Sequence, residues 1–278
     1  MKVAVTGASG FIGRHVLAEL CKDNLDTIAV TRDARRLAGL PSSVRVVEMD
    51  ISAPGNECLA ALGHPEVLIH LAWDGLPNYG AMNHFEIELQ RQYLFLKSLI
   101  TAGLPSLLVT GTCFEYGNRY GPVSENSVMS PTNPYGYAKN ALRTQLEFLK
   151  KVVPFTLTWA RLFYMYGDGQ TGTSLYPSLR DSVLRGDKVF NMSGGEQLRD
   201  YLPVDEVARH LVRLATLCLD IGPVNVCSGR PIAVRRLVEQ WLHDKGWTID
   251  LRLGHYPYPD YEPLAFWGDR TRLDQILK

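Results

Sequence analysis

The stretch Thr6-Gly7-Ala8-Ser9-Gly10-Phe11-Ile12-Gly13 constrains the fold of this chain more than any other. It follows Met1-Lys2-Val3-Ala4-Val5, which reads as a short buried strand, and leads into a helical pattern from His15 to Leu20. The glycines do different things at such a junction. Gly7 lets the chain turn sharply, Gly10 lets backbone approach a pyrophosphate, and Gly13 lets the helix lie close on the strand. The helix N-terminus then presents N–H groups without intrahelical partners, which suit an anion. Strand, glycine turn and helix in this order predict a dinucleotide site at the edge of an α/β sheet.

The pattern repeats along the first half. Apolar runs at Thr27–Val30, Val44–Met49, Val67–Ala72, Ser106–Thr110 and Phe155–Leu162 alternate with helical stretches at His15–Leu20, Glu86–Ala102 and Ala138–Lys150. Such alternation predicts a Rossmann-type, doubly wound parallel sheet covered by helices on both faces. Ligands in these sheets sit beyond the carboxyl ends of the strands, where Gly7, His70 and Thr112 fall. From about Gly167 the pattern changes to helices at Leu175–Leu184, Asp205–Leu217 and Ala233–Lys245, with short strands near Val224 and Ile249. Tyr256 to Pro263, dense in proline and tyrosine, reads as an ordered loop.

A second constellation sits at Tyr135-Gly136-Tyr137-Ala138-Lys139, where a phenol and an ammonium lie one helical turn apart on the same face. Asn133 and Pro134 read as an N-cap and a first-turn proline, so Tyr135 opens a helix. A free phenol titrates near ~10, and the expectation is that Lys139 lowers that value and makes Tyr135 a usable acid.

These features together resemble the extended branch of the short-chain dehydrogenase/reductase superfamily, the NAD(P)-dependent nucleotide-sugar epimerases, dehydratases and reductases. The resemblance runs nearly the whole length. Gly7, Gly10 and Gly13 match its G-x-x-G-x-x-G, Asp50-Ile51 its adenine-side pair, and His70-Leu71-Ala72 its post-strand segment. Its active-site Ser/Thr, four residues before a Tyr-Gly pair, falls on Thr112 before Tyr116-Gly117. The match continues through Arg161, Tyr166-Gly167, Gly194-Gly195, Arg199-Asp200-Tyr201, Asn225-Val226 and Ser228-Gly229.

The resemblance implies a cofactor domain over residues 1–166 and an interleaved substrate lobe over 167–278. It implies a catalytic set of Thr112, Tyr135 and Lys139, with Thr112 bonded to the reacting oxygen and Lys139 to the nicotinamide ribose. The cofactor would be held by Gly7, Ser9, Gly10, Phe11, Ile12, Gly13, Arg32, Asp50, Ile51, Leu71 and Ala72, together with Tyr135 and Lys139. Arg199 would contact a phosphate of a nucleotide-diphosphate sugar.

At the end of the second strand the chain reads Val30-Thr31-Arg32-Asp33-Ala34-Arg35-Arg36. A carboxylate there favours NAD and a guanidinium suits a 2'-phosphate, so Arg32 favours NADP(H). A register two residues later would put Asp33 at the ribose and favour NAD.

An NADP(H) preference in turn favours net reduction, of a nucleotide-diphosphate keto-sugar such as a 4-keto-6-deoxyhexose. The alternatives are an NAD-dependent nucleotide-sugar 4-epimerase and, from another class, a cofactor-sensing protein without turnover. Dehydratases of the branch carry Asp-Glu directly after the active-site threonine. Here those positions are Cys113 and Phe114, with Glu115 one place too late. Two further departures are Tyr164 and Glu88, each standing where the family usually has asparagine.

The 278 residues, 46% hydrophobic, are enough to bury a sizeable core. With zero formal net charge and no basic stripe there is no electrostatic case for nucleic acid or a membrane surface. No charged-then-apolar leader and no run approaching the ~18 apolar residues of a bilayer span is present, so a cytoplasmic protein is expected. The five cysteines lack metal-ligand or disulfide spacing, and no metal is expected. The assembly allowed for is a homodimer.

Overall fold

The computed structural model describes residues 1–52, 57–172, 174–258 and 263–278. The proline- and tyrosine-rich stretch 256–263 therefore lies partly outside the described residues.

Seven strands form the central sheet: β1 (Lys2–Thr6), β2 (Asp26–Thr31), β3 (Val44–Glu48), β4 (Val67–His70), β5 (Ser106–Thr112), β6 (Thr156–Leu162) and β7 (Gly222–Val226). All neighbours pair parallel, in the order β7-β6-β5-β4-β1-β2-β3. The order reverses between β1 and β4, which opens a crevice at their carboxyl ends. The chain is thus a Rossmann-type α/β protein. Its seventh strand comes from residues 222–226, so the sheet draws on the C-terminal part as well.

Two cores cover the sheet, one per face, as a parallel sheet requires. On one face α1 (Phe11–Lys22) lays down Val16, Leu17 and Leu20, joined by Val207, Leu211 and Leu214 of the helix Val204–Thr216. On the other face α2 (Leu89–Thr101) and α3 (Pro134–Lys150) contribute Phe95, Leu96, Leu99, Leu142 and Leu146, at the i, i+3 and i+4 spacing of an apolar helical stripe. A third core, around Tyr176, Leu179, Leu237 and Trp241, is built from the C-terminal part of the chain.

The α3 helix begins as its sequence dictates. The Asn133 side chain accepts from the Gly136 N–H at 2.8 Å, and Pro134 occupies the first turn. The α2 helix is preceded by a π-helical turn at His84–Glu88, so the stretch expected as one helix from Glu86 changes pitch at its start.

The glycine turn is tightly built. Gly7 has φ +68°, a left-handed conformation that disfavours side chains, and a Cβ there would lie 2.8 Å from the Ala72 nitrogen. A Cβ on Gly13 would lie 2.3 Å from the Gly7 carbonyl oxygen and 2.7 Å from Ala8 backbone. Both obstacles are backbone, and neither can swing aside. We expect Gly13→Ala to cost at least ~1–3 kcal/mol, the range for overpacking a filled site. A urea midpoint equal to that of the unsubstituted protein would contradict this packing.

Candidate active site

Two cavities open along the carboxyl edge of the sheet and meet at Leu71 and Trp73. The smaller, about 220 Å³, lies over the reversal point and is walled by Gly7, Ser9, Gly10, Thr31, Arg32, Asp50, Ile51 and Ala72. The larger, about 1000 Å³, is walled by Phe11, Ile12, Thr112, Tyr135 and Lys139 together with aromatic residues of the C-terminal part of the chain. Gly13 lies on neither wall; it packs the helix on the turn.

The smaller cavity and the glycine turn suit a dinucleotide. The α1 N-terminus has Gly10 as its cap residue with no side-chain hydrogen bond, which leaves its first N–H groups for an anion. A Cβ on Gly10 would meet only the Gly7 oxygen, at 3.1 Å, so this backbone can be approached from outside. Thr31 ends β2 with its hydroxyl 3.2 Å from Ser9 Oγ, tying the second strand to the turn. The Arg32 guanidinium is engaged by both carboxylate oxygens of Asp74, at 2.8 and 3.0 Å. Asp33 is held in a fork by Arg35 of its own turn.

In the larger cavity, Thr112 comes from the end of β5, Tyr135 from the first turn of α3 and Lys139 from its second turn. Lys139 is 1% exposed. Its ammonium donates to the Thr110 carbonyl at 2.8 Å and lies 4.1 Å from the centre of the Trp73 ring. Burial lowers its pKa to about 7, against the opposing pull of Glu115 and Glu88. The Tyr135 ring is packed 5.2–5.8 Å from His84, Tyr79 and Trp73, and its backbone N–H donates to the Tyr79 carbonyl. The expected acidification of Tyr135 by Lys139 is not what this environment produces. Burial pushes the phenol above its ordinary range, and Tyr79, Glu115 and Cys113 push the same way. Thr112 caps the short helix Cys113–Tyr116, its oxygen accepting from the Phe114 N–H at 3.3 Å. That bond does not use the hydroxyl proton.

The residues after Thr112 divide between wall and scaffold. Cys113 and Phe114 line the cavity, whereas Glu115 is fully buried and turned inward. Its carboxylate accepts from the Thr112 N–H, Trp159 Nε1 and Arg161 Nε at 2.9, 2.9 and 2.7 Å. Arg161 also donates to the Tyr116 hydroxyl, which donates to Asn225 Oδ1 at 2.6 Å. Arg161, Tyr116 and Asn225 thus form a buried polar brace behind the site.

Arg199 is buried and donates to the Leu198 carbonyl, with its guanidinium 5.8 Å from the Tyr164 ring. It is not among the residues on the cavity wall, whereas Tyr164 and Tyr201 are. The neighbouring Asp200 holds the C-terminal part together. Its carboxylate accepts from the N–H groups of Ser228, Gly229 and Gly268, pinning two segments to its own. Trp73, Asp74, Tyr79 and His84 are wall or support residues that carry no motif. The nearest signal in the sequence is that Trp73-Asp74 directly follows His70-Leu71-Ala72. Among the described residues, no group of His, Cys, Asp and Glu could hold a metal ion, and no helix is long and apolar enough to cross a membrane.

The model of the NAD dependent epimerase/dehydratase family matches residues 3–227. The chain belongs to that family. It is 30% identical over 270 residues to a dTDP-6-deoxy-L-talose 4-dehydrogenase (NAD(+)) of Aggregatibacter actinomycetemcomitans, covering 96% of this chain and 99% of that protein. It is 25% identical to a probable UDP-arabinose 4-epimerase of Oryza sativa subsp. japonica, over 99% of this chain and 74% of that one. Among solved structures, MoeE5 in complex with UDP-glucuronic acid and NAD superposes with a TM-score of 0.81 at 26% identity, covering 100% of this chain and 92% of that one. The UDP-glucuronic acid 4-epimerase from Bacillus cereus has the same fold, with a TM-score of 0.84 at 22% identity over 100% and 93% of the two chains. The chain is therefore an enzyme of the nucleotide-sugar epimerase and dehydrogenase family.

Beneath the crevice, His70 is buried between Thr6 Oγ1 at 2.8 Å and Gln92 Oε1 at 2.7 Å. The amide oxygen must be met by an N–H, so Nε2 carries the proton and Nδ1 accepts from Thr6. Burial, aided by Lys139 and opposed by Gln92, lowers its pKa from 6.5 to about 3. Between those values the unfolded chain takes up a proton at His70 and the folded chain does not. The stability this residue contributes above pH 6.5 is therefore lost as pH falls toward 3. Urea midpoints followed across that range should fall less steeply in His70→Asn than in the unsubstituted protein; parallel curves would show that His70 is not the responsible group.

Proposed function

We propose that this chain moves hydride between a nicotinamide dinucleotide and C4 of a nucleotide-diphosphate hexose, and that its net reaction is reduction of a 4-keto-6-deoxyhexose. The observation that carries this reading is that Thr112, Tyr135 and Lys139 all line the larger cavity, which joins the glycine-turn cavity at Leu71 and Trp73. Chemistry on a sugar and binding of a dinucleotide are thereby contiguous.

A bound dinucleotide supplies or accepts the hydride; the chain's residues manage the proton and the geometry. Burial keeps Tyr135 protonated, which is the state needed to donate a proton to a carbonyl oxygen being reduced. Thr112 offers its hydroxyl proton to the same oxygen. Lys139, held by Thr110 and Trp73, sits where its charge offsets the negative charge left on the phenol after donation. Trp73, Tyr79 and Phe114 give the cavity an aromatic wall beside the reacting centre.

The residues after Thr112 argue against dehydration. Cys113 and Phe114 occupy the positions of the acid pair, and Glu115 is committed to Arg161 and Trp159. Support for C4 oxidoreduction of a 6-deoxyhexose comes from the talose dehydrogenase relative, whose name describes the reverse direction of the same chemistry. A second reading is 4-epimerisation, in which the keto-sugar turns over inside the site before hydride returns. The volume of about 1000 Å³ leaves room for that.

Tyr135→Phe keeps the ring and its aromatic neighbours while removing the acidic proton. Its reductive kcat on a nucleotide 4-keto-6-deoxyhexose should fall by roughly 10²–10⁴, with dinucleotide affinity and Tm nearly unchanged. A variant within a few fold of the unsubstituted enzyme would exclude Tyr135 as the acid.

A further inference from the structure

Arg32 leaves β2 at the rim of the smaller cavity, and Asp74 reaches it from the segment after β4, on the other side of the reversal point. The side chains meet as a fork, Nη1 to Oδ2 at 2.8 Å and Nη2 to Oδ1 at 3.0 Å. Asp74 is also tied to the scaffold, since its backbone N–H points to the Glu88 carboxylate at 3.4 Å. Glu88 is buried and receives the Gln92 amide at 3.1 Å. Around the cavity three arginines face four carboxylates, and Arg32 and Arg91 are both in ion pairs.

We propose that Asp74 is the residue that sets dinucleotide preference, taking the Arg32 guanidinium from a 2'-phosphate and repelling that phosphate, so that the chain selects NAD over NADP. The inference rests on the reading of this cleft as a dinucleotide site. A 2'-phosphate at Arg32 would need the guanidinium fork that Asp74 already occupies, Arg36 being the third arginine on this wall and outside that pair. Displacing Asp74 would leave its carboxylate beside a second anion, at the edge of a cavity with no surplus of positive charge. The ribose hydroxyl of NAD is neutral and can donate to a carboxylate, so NAD carries no such penalty. The NADP(H) expectation from sequence rested on Arg32 alone. Asp74, 42 positions further on, opposes it, and the reading of net reduction then rests on the talose dehydrogenase relative and not on a choice of NADP(H).

The two side chains are 60% and 50% exposed, so their pairing contributes little to folding and substitutions there report on binding. Protein freed of nucleotide is titrated with NAD⁺ and with NADP⁺, followed by calorimetry, with Tm recorded for each variant. The unsubstituted protein should bind NAD⁺ the more tightly, by on the order of tenfold. Asp74→Asn, which keeps the shape and removes the charge, should raise NADP⁺ affinity by roughly tenfold, an electrostatic gain that shrinks with added salt. The gain should vanish in the double variant Asp74→Asn, Arg32→Ala. Preference for NADP⁺ in the unsubstituted protein, or an Asp74→Asn variant whose two affinities keep their ratio, would overturn the role of Asp74. Binding of neither dinucleotide by the unsubstituted protein would instead remove the dinucleotide reading, and this inference with it.

Discussion

The site is organised around a lysine almost wholly withdrawn from solvent. Lys139 is 1% exposed, and placing an ammonium there is unfavourable unless its donors are met and its charge is compensated. Three elements meet that demand. β5 supplies the Thr110 carbonyl, the segment after β4 supplies the Trp73 face, and the Glu115 and Glu88 carboxylates oppose the fall in its pKa. Each of these groups is fixed in turn by something else. Glu115 is locked by Arg161 and Trp159, and Glu88 by Gln92 and Arg91. The position of Tyr135 follows, because it lies one turn before Lys139 on α3 and packs against the same tryptophan.

The glycine turn answers to a different constraint, close approach of backbone to backbone. Gly7 and Gly13 are required because Ala72, Ala8 and Gly7 itself leave no room for a methyl group. That kind of demand is local and leaves a local trace, which is why the glycine turn and its packing were legible from a few residues. The same holds for the start of α3, where Asn133 and Pro134 announce a helix that the Gly136 N–H completes. The alternation of strands and helices and the two covering cores were also legible, since buried parallel strands read as continuous apolar runs.

What the sequence did not show is long-range and polar. The pairing of Arg32 with Asp74 joins residues with no shared motif, and nothing in either segment signals the other. The same is true of Trp73, Tyr79 and His84 around Tyr135, which come from a segment without helical or strand periodicity. The pKa expectation for Tyr135 failed for a related reason. Proximity of a cation is visible in the spacing Tyr135 to Lys139, whereas desolvation depends on every side chain that closes over the phenol. A protonated Tyr135 remains compatible with reduction, because that is the form that donates.

Transfer of hydride from an exchangeable dinucleotide to C4 of a nucleotide-linked sugar leaves a mark that can be followed. NADH or NADPH carrying deuterium at both hydrogens of the reactive nicotinamide carbon is supplied with a nucleotide-linked 4-keto-6-deoxyhexose, and the label is located in the product by NMR. One deuterium should appear at C4 of the sugar, with dinucleotide oxidised in equal amount. Keto-sugar recovered with no deuterium at C4 and no dinucleotide oxidised would contradict net reduction at C4.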